Sequence, residues 1–223
     1  MSARRFAHLA RLLGLGADPA VTTDAGDLWW RTDLSQLHGA DATGPVPLGP
    51  TGNAPVIRSG AWHGFPAYGA NTAANVPDGR LFAIPFWPGR SATVTGIAAN
   101  VTLALVGGNI RFGLYANAGA VPGSLVADWG TVATGVTGIR SVTGLSVAVR
   151  PVLHWLVVAR QGGLLNLGLS SRDTWEPCVS ESAPTIAANN SGYYRDGVTG
   201  ALPATYGAVA GAIQAPSLSV QLT

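Results

Sequence analysis

A succession of short β-rich segments in the last two-thirds of the chain constrains the fold more than any other feature. Eight segments rich in Val, Ile, Leu and Thr alternate with turn-forming Gly, Pro and Asn. They lie at roughly 81–87, 92–105, 109–116, 125–133, 138–149, 153–160, 164–170 and 217–223. Such residues suit a pleated, half-buried surface, and this spacing of turns is typical of a sandwich or barrel. We therefore predict an all-β fold, with a jelly-roll-like antiparallel β-sandwich over 81–223.

The segment "SVAVRPVLHWLVVARQ", residues 146–161, is apolar almost without interruption. Periodicity alone does not distinguish a buried helix from a strand here. Pro151, the β-branched content and the short length favour a strand. A strand with so little alternation is typical of one covered on both faces.

The N-terminal region, 1–40, predicts two small elements. Apolar residues at three- and four-residue spacing predict an amphipathic helix; they are Phe6, Leu9, Leu12 and Leu13. In "AGDLWWRTDLSQLHG", alternation around Trp29 and Trp30 and a turn near 32–35 predict a β-hairpin. Neither element is large enough to be stable alone. We expect these six apolar residues to serve attachment or oligomerisation.

Residues 41–80 are predicted to form an extended connector. Pro and Gly recur every few residues and no period persists, which disfavours helix interiors and central strands. The segment contains three aromatic residues, Trp62, Phe65 and Tyr68. They either anchor the connector by packing or contact a ligand, and the sequence leaves both open.

Charge is scarce in this chain. Charged residues are 11% of the total, against about 25% in typical globular proteins. Much of the surface is therefore either buried against other copies and partners, or formed by Ser, Thr, Asn and Gly. The 13 basic residues are all Arg and are scattered, with a net charge of +2, so we expect no nucleic-acid partner. No apolar run of membrane-spanning length occurs, so we expect no membrane insertion.

The sequence lacks the usual catalytic and metal-binding motifs. There is no Lys for a P-loop and no G-x-S-x-G motif. Cys178 is the single cysteine and the four histidines are far apart; they are His8, His38, His63 and His154. We therefore expect no enzyme, no cofactor and no metal site. His154 lies in a predicted strand and is interpreted as a hydrogen-bonded wall residue.

Two stretches remain as candidate sites. In "SSRDTWEPCVSESAP" the acids Asp173, Glu176 and Glu181 surround Trp175; we favour a solvated loop, and a glycosidase would need these acids to converge in a groove. In "NNSGYYRDG" the residues Tyr193, Tyr194 and Arg195 lie between turn formers. With Trp175 they form a candidate ligand-binding set, since Tyr, Trp and Arg dominate recognition surfaces. The alternative is packing at the end of the sandwich or against a neighbouring subunit.

Several segments resemble tail and fibre proteins of bacteriophages that infect actinobacteria and other GC-rich hosts. The hairpin segment "AGDLWWRTDLSQLHG" and the segment "GRLFAIPFWPGRSATVTGIAANVT" are similar to their hairpin and opening jelly-roll strands. The segment "RFGLYANAGAVPGSLVADWGTV" is similar to another stretch of the same domain, with turns expected at Asn117–Gly119 and at Pro122-Gly123. The segments "GALPATYG" and "APSLSVQLT" resemble its end.

The resemblance implies a non-catalytic virion protein, usually a homotrimer. It implies other tail or capsid proteins as partners and a location on the virion surface. Binding of a host cell-surface glycan by the aromatic loops is a secondary hypothesis. We expect a short tail fibre, receptor-binding or minor tail protein whose sandwich projects outward. A capsid decoration or head fibre protein and a secreted carbohydrate-binding module are the alternatives.

Overall fold

The described part of the protein is all-β, and most of it forms a sandwich of antiparallel sheets, as the sequence predicts. The computed structural model describes residues 14–15, 28–31, 36–41, 44–47, 59–65, 70–89, 91–163, 167–173 and 191–223. These residues contain no helix, and therefore none that could span a membrane. The predicted amphipathic helix, with Phe6, Leu9, Leu12 and Leu13, lies outside them.

Sixteen strands are present in the described residues. The first four are β1 (Gly14–Leu15), β2 (Leu28–Arg31), β3 (Gln36–Asp41) and β4 (Gly44–Pro47). The others are β5 (Trp62–Phe65), β6 (Ala70–Val76), β7 (Leu81–Phe86), β8 (Ala92–Leu103), β9 (Asn109–Ala118), β10 (Val121–Ala133), β11 (Gly138–Val149), β12 (His154–Gln161), β13 (Leu167–Asp173), β14 (Gly192–Arg195), β15 (Gly211–Ile213) and β16 (Leu218–Leu222). The chain divides into two compact units, Met1–Val56 with Pro88–Ser91 and Ile57–Trp87 with Ala92–Thr223.

The smaller unit contains a four-stranded sheet in the order β1-β2-β3-β4. The predicted hairpin is confirmed, since β2 and β3 pair antiparallel with Trp29 opposite His38 and Trp30 opposite Leu37. β1 pairs parallel to β2, and β4 extends the sheet beyond β3. β4 contains two prolines and lies at the sheet edge, where a missing backbone N–H is tolerated.

Sheet I is the first sheet of the larger unit and has the order β10-β9-β12-β7-β14-β15. All its pairings are antiparallel. β12 is central, pairing with β7 on one side and β9 on the other, and all but the last of its residues are buried. The unbroken apolar run in the sequence therefore marks a strand covered on both faces, as predicted.

Sheet II faces sheet I and is built around the long strand β8. β11 pairs with one edge of β8, while β16 and then β13 pair with the other. β5 continues the sheet beyond β16, and β6 continues it beyond β13. Alternate residues of β8 and β16 point inward, including Val94, Val101 and Val220, which are at most 1% exposed.

The main core lies between the two sheets. It contains alternate apolar residues of both, with Phe82, Phe112 and Leu156 from sheet I fully or almost fully buried. Phe86 of sheet I meets Phe65 of sheet II edge to face, with ring centroids 5.1 Å apart. Each such side chain stabilises the fold by about 1.5–3 kcal/mol through burial. Phe65 is thus a core residue, so for this aromatic residue packing is the correct one of the two interpretations.

The eight predicted segments correspond to β7–β13 and β16. Four strands of the larger unit were not predicted: β5, β6, β14 and β15. The sandwich therefore begins before residue 81, because β5 and β6 of the expected connector pair into sheet II. Both are short outer strands, where a Pro- and Gly-rich neighbourhood is tolerated and the strand signal is weak.

The turn expected at Pro122-Gly123 is wrong. Both residues lie in β10, beside an irregularity in its pairing with β9. The chain instead reverses at Gly119 and Ala120, which have positive φ values of 64° and 68° and connect the paired residues Ala118 and Val121. Two central residues with positive φ define the type I′ turn, which matches the twist of a hairpin. Pro122 is tolerated because β10 is the edge strand of sheet I.

Candidate functional site

Tyr193, a predicted ligand contact, is part of the packed structure. β14 places it on the outer face of sheet I, where it is 3% exposed. Its ring lies against Trp155 of β12, with centroids 5.3 Å apart. Of the two interpretations left open by the sequence, packing describes Tyr193. Trp175, the fourth member of the predicted set, lies outside the described residues.

Tyr194 and Arg195 have intramolecular partners. The Arg80 guanidinium lies 4.2 Å from the centre of the Tyr194 ring and forms an ion pair of 2.7 Å with Asp196. The hydrogen bond to Asp196 raises the pKa of Arg80, against a smaller opposing effect of burial. Arg195 donates a hydrogen bond to the backbone carbonyl of Tyr206. These contacts fix the segment after β14 to the rest of the sandwich.

The outer face of sheet I is covered by a segment that we call the strap, residues 197–210. Val198, Leu202 and Tyr206 of the strap pack on Tyr115, Trp155, Tyr193 and their neighbours in a second apolar cluster. Leu202 approaches so closely that a Cβ atom on Gly113 would overlap its Cδ1 atom. This glycine inside β9 therefore allows the strap to lie flat on the sheet.

The polar atoms of this aromatic cluster are bonded within the chain. The Tyr115 hydroxyl donates to the carbonyl of Pro203 at 2.7 Å, and the Tyr206 hydroxyl donates to that of Leu81 at 3.0 Å. The Trp155 indole donates to Asn117 Oδ1 at 3.1 Å. Burial raises the pKa of Tyr115 to about 12, although the positive charge of Arg195 opposes the shift. The cluster thus acts as a second core, and its hydroxyl and indole N–H groups are already hydrogen-bonded within the chain.

Asp128 fastens the middle of the strap. Its carboxylate accepts hydrogen bonds from the Arg111 guanidinium at 2.8 Å, from the backbone N–H of Leu202 at 2.9 Å and from that of Gly130 at 3.1 Å. Burial favours the protonated acid, but these donors outweigh it and hold the pKa of Asp128 below its ordinary value. This acid therefore has a structural role.

Of the three acids singled out in the sequence, only Asp173 lies among the described residues. Asp173 is the last residue of β13, and Glu176, Glu181 and Cys178 lie outside the described residues. Where side chains are described, no group of three or more His, Cys, Asp or Glu residues could hold a metal ion. His154 lies in β12, is 8% exposed, and its Nε2 is 3.3 Å from the Arg150 carbonyl, as expected for a wall residue.

The outer face of sheet II differs from that of sheet I because the strap does not cover it. We call it the Trp62 face. Among the side chains that the structure describes, those that point outward from this sheet are uncharged and mostly polar. They include Trp62, Thr93, Thr95, Asn100, Thr102, Ser141, Thr143, Ser146, Ser170, Ser219 and Gln221. The described side chains of this broad surface therefore carry no charge.

Trp62 lies along this face rather than standing away from it. Pairing places Trp62, Gln221, Gly96 and Thr143 in one row across β5, β16, β8 and β11. A Cβ atom on Gly96, two strands from Trp62, would lie 2.8 Å from the indole Cη2 atom. Two strand spacings are about 10 Å, so the indole must extend across β16 to reach Gly96. Trp62 is nevertheless 42% exposed.

Polar groups beside the indole are held in place by hydrogen bonds. Gln221 donates from Nε2 to the carbonyl of Gly60 at 2.9 Å, and its Oε1 accepts from the Thr95 hydroxyl at 3.3 Å. Further along, Asn100 donates to the Ser170 hydroxyl at 2.8 Å. An aromatic surface next to oriented hydroxyl and amide groups can bind a neutral, hydroxyl-rich ligand.

A partial signal for this surface is present in the sequence. Trp62 was a candidate together with Phe65 and Tyr68, of which Phe65 is buried and Tyr68 lies outside the described residues. A glycine inside a predicted strand marks close approach of another group, and Gly96 is such a residue. Its partner across the sheet depends on the pairing of β16, which is distant in sequence.

Compared with known proteins, the chain matches no family model, and none of the curated proteins is significantly similar to it.

Proposed function

We propose that the chain is a structural protein of a bacteriophage virion, specifically a short tail fibre, receptor-binding or minor tail protein. The smaller N-terminal unit would attach it to the virion or to other copies, and the sandwich would project outward. The observation that carries the proposal is the Trp62 face, a broad surface of the sandwich whose described side chains are uncharged. Such a surface favours contact with a partner over a freely soluble existence.

The division of the chain supports separate attachment and projecting parts. The N-terminal sheet has strands of only 2, 4, 6 and 4 residues. Small sheets of short strands bury little surface and depend on other elements for stability. Additional cover from neighbouring subunits, including contacts through Trp29 and Trp30, would supply that stability.

The resemblance of the segments 25–39, 79–102 and 111–132 to actinobacteriophage tail proteins supports the same proposal. It also supplies two finer details that we propose with it, namely jelly-roll connectivity and a homotrimer. The N-terminal helix is proposed from the spacing of Phe6, Leu9, Leu12 and Leu13. In this proposal the protein is not an enzyme and uses no cofactor.

The oligomeric state tests the attachment part of the proposal. Sedimentation equilibrium of the full chain should give three times the 22.7 kDa mass of one chain. A monomer over a wide concentration range would contradict the trimer. It would favour the alternative of a secreted carbohydrate-binding module, which needs no assembly.

The location tests the virion part. Antibodies raised against the purified chain should label phage particles that carry its gene at the tail, as seen by immunogold electron microscopy. Label on the head surface would instead support a capsid decoration or head fibre protein. Particles free of label and of the polypeptide would contradict the virion assignment.

A further inference from the structure

We infer that the Trp62 face binds a neutral glycan, with the exposed indole of Trp62 as the stacking surface for a sugar ring. This inference rests on the proposed function and names the chemistry of the receptor. It moves the candidate site from Tyr193, Tyr194 and Arg195, whose contacts are within the chain, to the opposite side of the sandwich.

The absence of charge on the described part of this face selects against ionic partners. An acidic glycan, a nucleic acid or a charged peptide would lose its hydration without gaining an opposite charge. A neutral glycan has no such loss, because its hydroxyl groups exchange hydrogen bonds with water for hydrogen bonds with protein. The surface beside Trp62 provides both donors and acceptors, in Thr95, Thr143, Ser219 and Gln221.

The geometry of Trp62 provides the apolar half of the contact. The indole crosses β16, its far edge meets Gly96, and 42% of the residue stays exposed, so part of the ring is accessible to a ligand. An aromatic face is electron-rich, and it attracts the weakly positive C–H groups on one side of a sugar ring. A ring already fixed on the sheet loses little side-chain entropy on binding, which favours affinity.

The composition of the face favours a glycan over a second copy of the chain. Permanent subunit interfaces resemble a protein core and are strongly apolar at their centre. The row around Trp62 instead carries hydroxyl and amide groups, from Thr95, Thr143, Ser219 and Gln221. The exposed aliphatic residues of this face, Leu103 and Ile139, lie further along β8 and β11, beside Gly168 and Asn100.

Isothermal titration calorimetry on the full-length protein tests the inference. The probes are four neutral polysaccharides (a glucan, a mannan, a galactan and an arabinan), with polygalacturonate and heparin as acidic controls. We expect at least one neutral probe to bind and both acidic probes to fail. Trp62→Ala should weaken binding by about tenfold or more, as expected for loss of a central aromatic anchor.

Two further variants separate loss of the stacking surface from general damage. Gly96→Ala retains the tryptophan but adds a Cβ atom 2.8 Å from the indole, so it should lift the ring and also weaken binding. Trp87→Ala removes a tryptophan of similar exposure, 49%, that follows β7 of sheet I, and it should leave the affinity unchanged. Thermal unfolding of each variant checks that the sandwich is intact.

Failure of this inference differs from failure of the proposed function. A trimer that binds none of the neutral probes, or that binds them equally well after both Trp62→Ala and Gly96→Ala, overturns the glycan site and leaves the virion proposal standing. A monomer that binds a neutral probe through Trp62 supports the glycan site and overturns the trimeric virion protein.

Discussion

Ala120 has a backbone conformation that side chains rarely adopt. Its φ of 68° makes it the one non-glycine residue with positive φ in the described part of the chain. The neighbouring Gly119 has the same sign of φ without a Cβ atom to strain it. The β9–β10 hairpin therefore carries a local cost of about 1 kcal/mol in its turn.

Replacing Ala120 with glycine should stabilise the protein by about 0.5–1 kcal/mol, because relief of the left-handed strain outweighs the added freedom of the unfolded chain. Urea unfolding measures the change as a shift in midpoint at constant slope. The matched control is Ala148→Gly, at an exposed position inside β11, which should destabilise. A loss of stability in both variants would show that the turn is not strained.

The folded conformation also changes the pKa of His154. Burial lowers its pKa, the hydrogen bond to the Arg150 carbonyl partly opposes this, and the charge of Arg150 lowers it further. The unfolded chain therefore binds a proton more readily than the folded one at this site. The neutral imidazole stabilises the fold above the ordinary pKa of 6.5, and that contribution is lost as the pH falls below it.

The free energy of unfolding should accordingly decrease between about pH 7 and 5, and His154→Gln should reduce this slope because glutamine does not titrate. Urea unfolding at several pH values compares the two proteins. The other three histidines are present in both, so their contributions cancel. Equal slopes would mean that His154 is protonated with equal ease in the two states.

At the scale of elements, the strap controls the outer face of sheet I. It is attached to the edge of β10 by a pair of backbone hydrogen bonds, from Leu125 N–H to the Ala204 carbonyl and from Tyr206 N–H to the Gly123 carbonyl. This attachment also covers part of an edge strand that would otherwise be open to pairing with another chain. The strap therefore closes the second core and protects the sheet.

Asp128→Asn should loosen the strap. The neutral asparagine side chain cannot form the ion pair with Arg111, and one of the two carboxylate oxygens that accept hydrogen bonds is replaced by an NH₂ group. We therefore expect the free energy of unfolding to fall by about 1–3 kcal/mol at neutral pH. Since the pKa of Asp128 is lowered by folding, its contribution is complete above 3.8 and is lost as the pH falls through the folded value. The difference in free energy of unfolding between Asp128→Asn and the original protein should therefore be smallest at acidic pH.

Hydrogen exchange of residues 197–210 provides the readout at the level of the element. In Asp128→Asn the amides of the strap should exchange faster while those of β8 and β16 keep their protection. Asn117→Ala, which removes the partner of the Trp155 indole on the same face, is a control that leaves the Asp128 contacts in place. Uniform acceleration in both sheets would mean that the strap does not open separately.

At the scale of the whole molecule, we expect assembly to depend on the N-terminal unit and ligand binding to depend on the sandwich. Leu9→Asp places a charge among the apolar positions of the predicted helix, so it should reduce the proposed trimer to smaller species. Sedimentation equilibrium measures this mass. Binding of a neutral glycan by each chain should persist, and Trp62→Ala should have the reverse pattern, with the trimer intact and binding lost.

Local sequence determined the strands. Alternating and continuous apolar runs bounded by Gly and Pro located β7–β13 and β16, and the pattern around Trp29 and Trp30 located the β2–β3 hairpin. These features are decided by neighbours two to eight residues away, through side-chain alternation and turn chemistry. The continuous run in β12 even indicated that both faces of that strand are covered.

Only the tertiary structure decided which aromatic residues are committed to packing and which remain open. Tyr193 is buried because β14 pairs with β7, about 110 residues earlier in the chain. Trp62 is exposed because β5 pairs with β16, the last strand of the sandwich. Both residues lie among similar Gly-rich neighbours, so local pattern does not separate them. Strand pairing over such separations selects the covered face, and with it the surface that is free to bind.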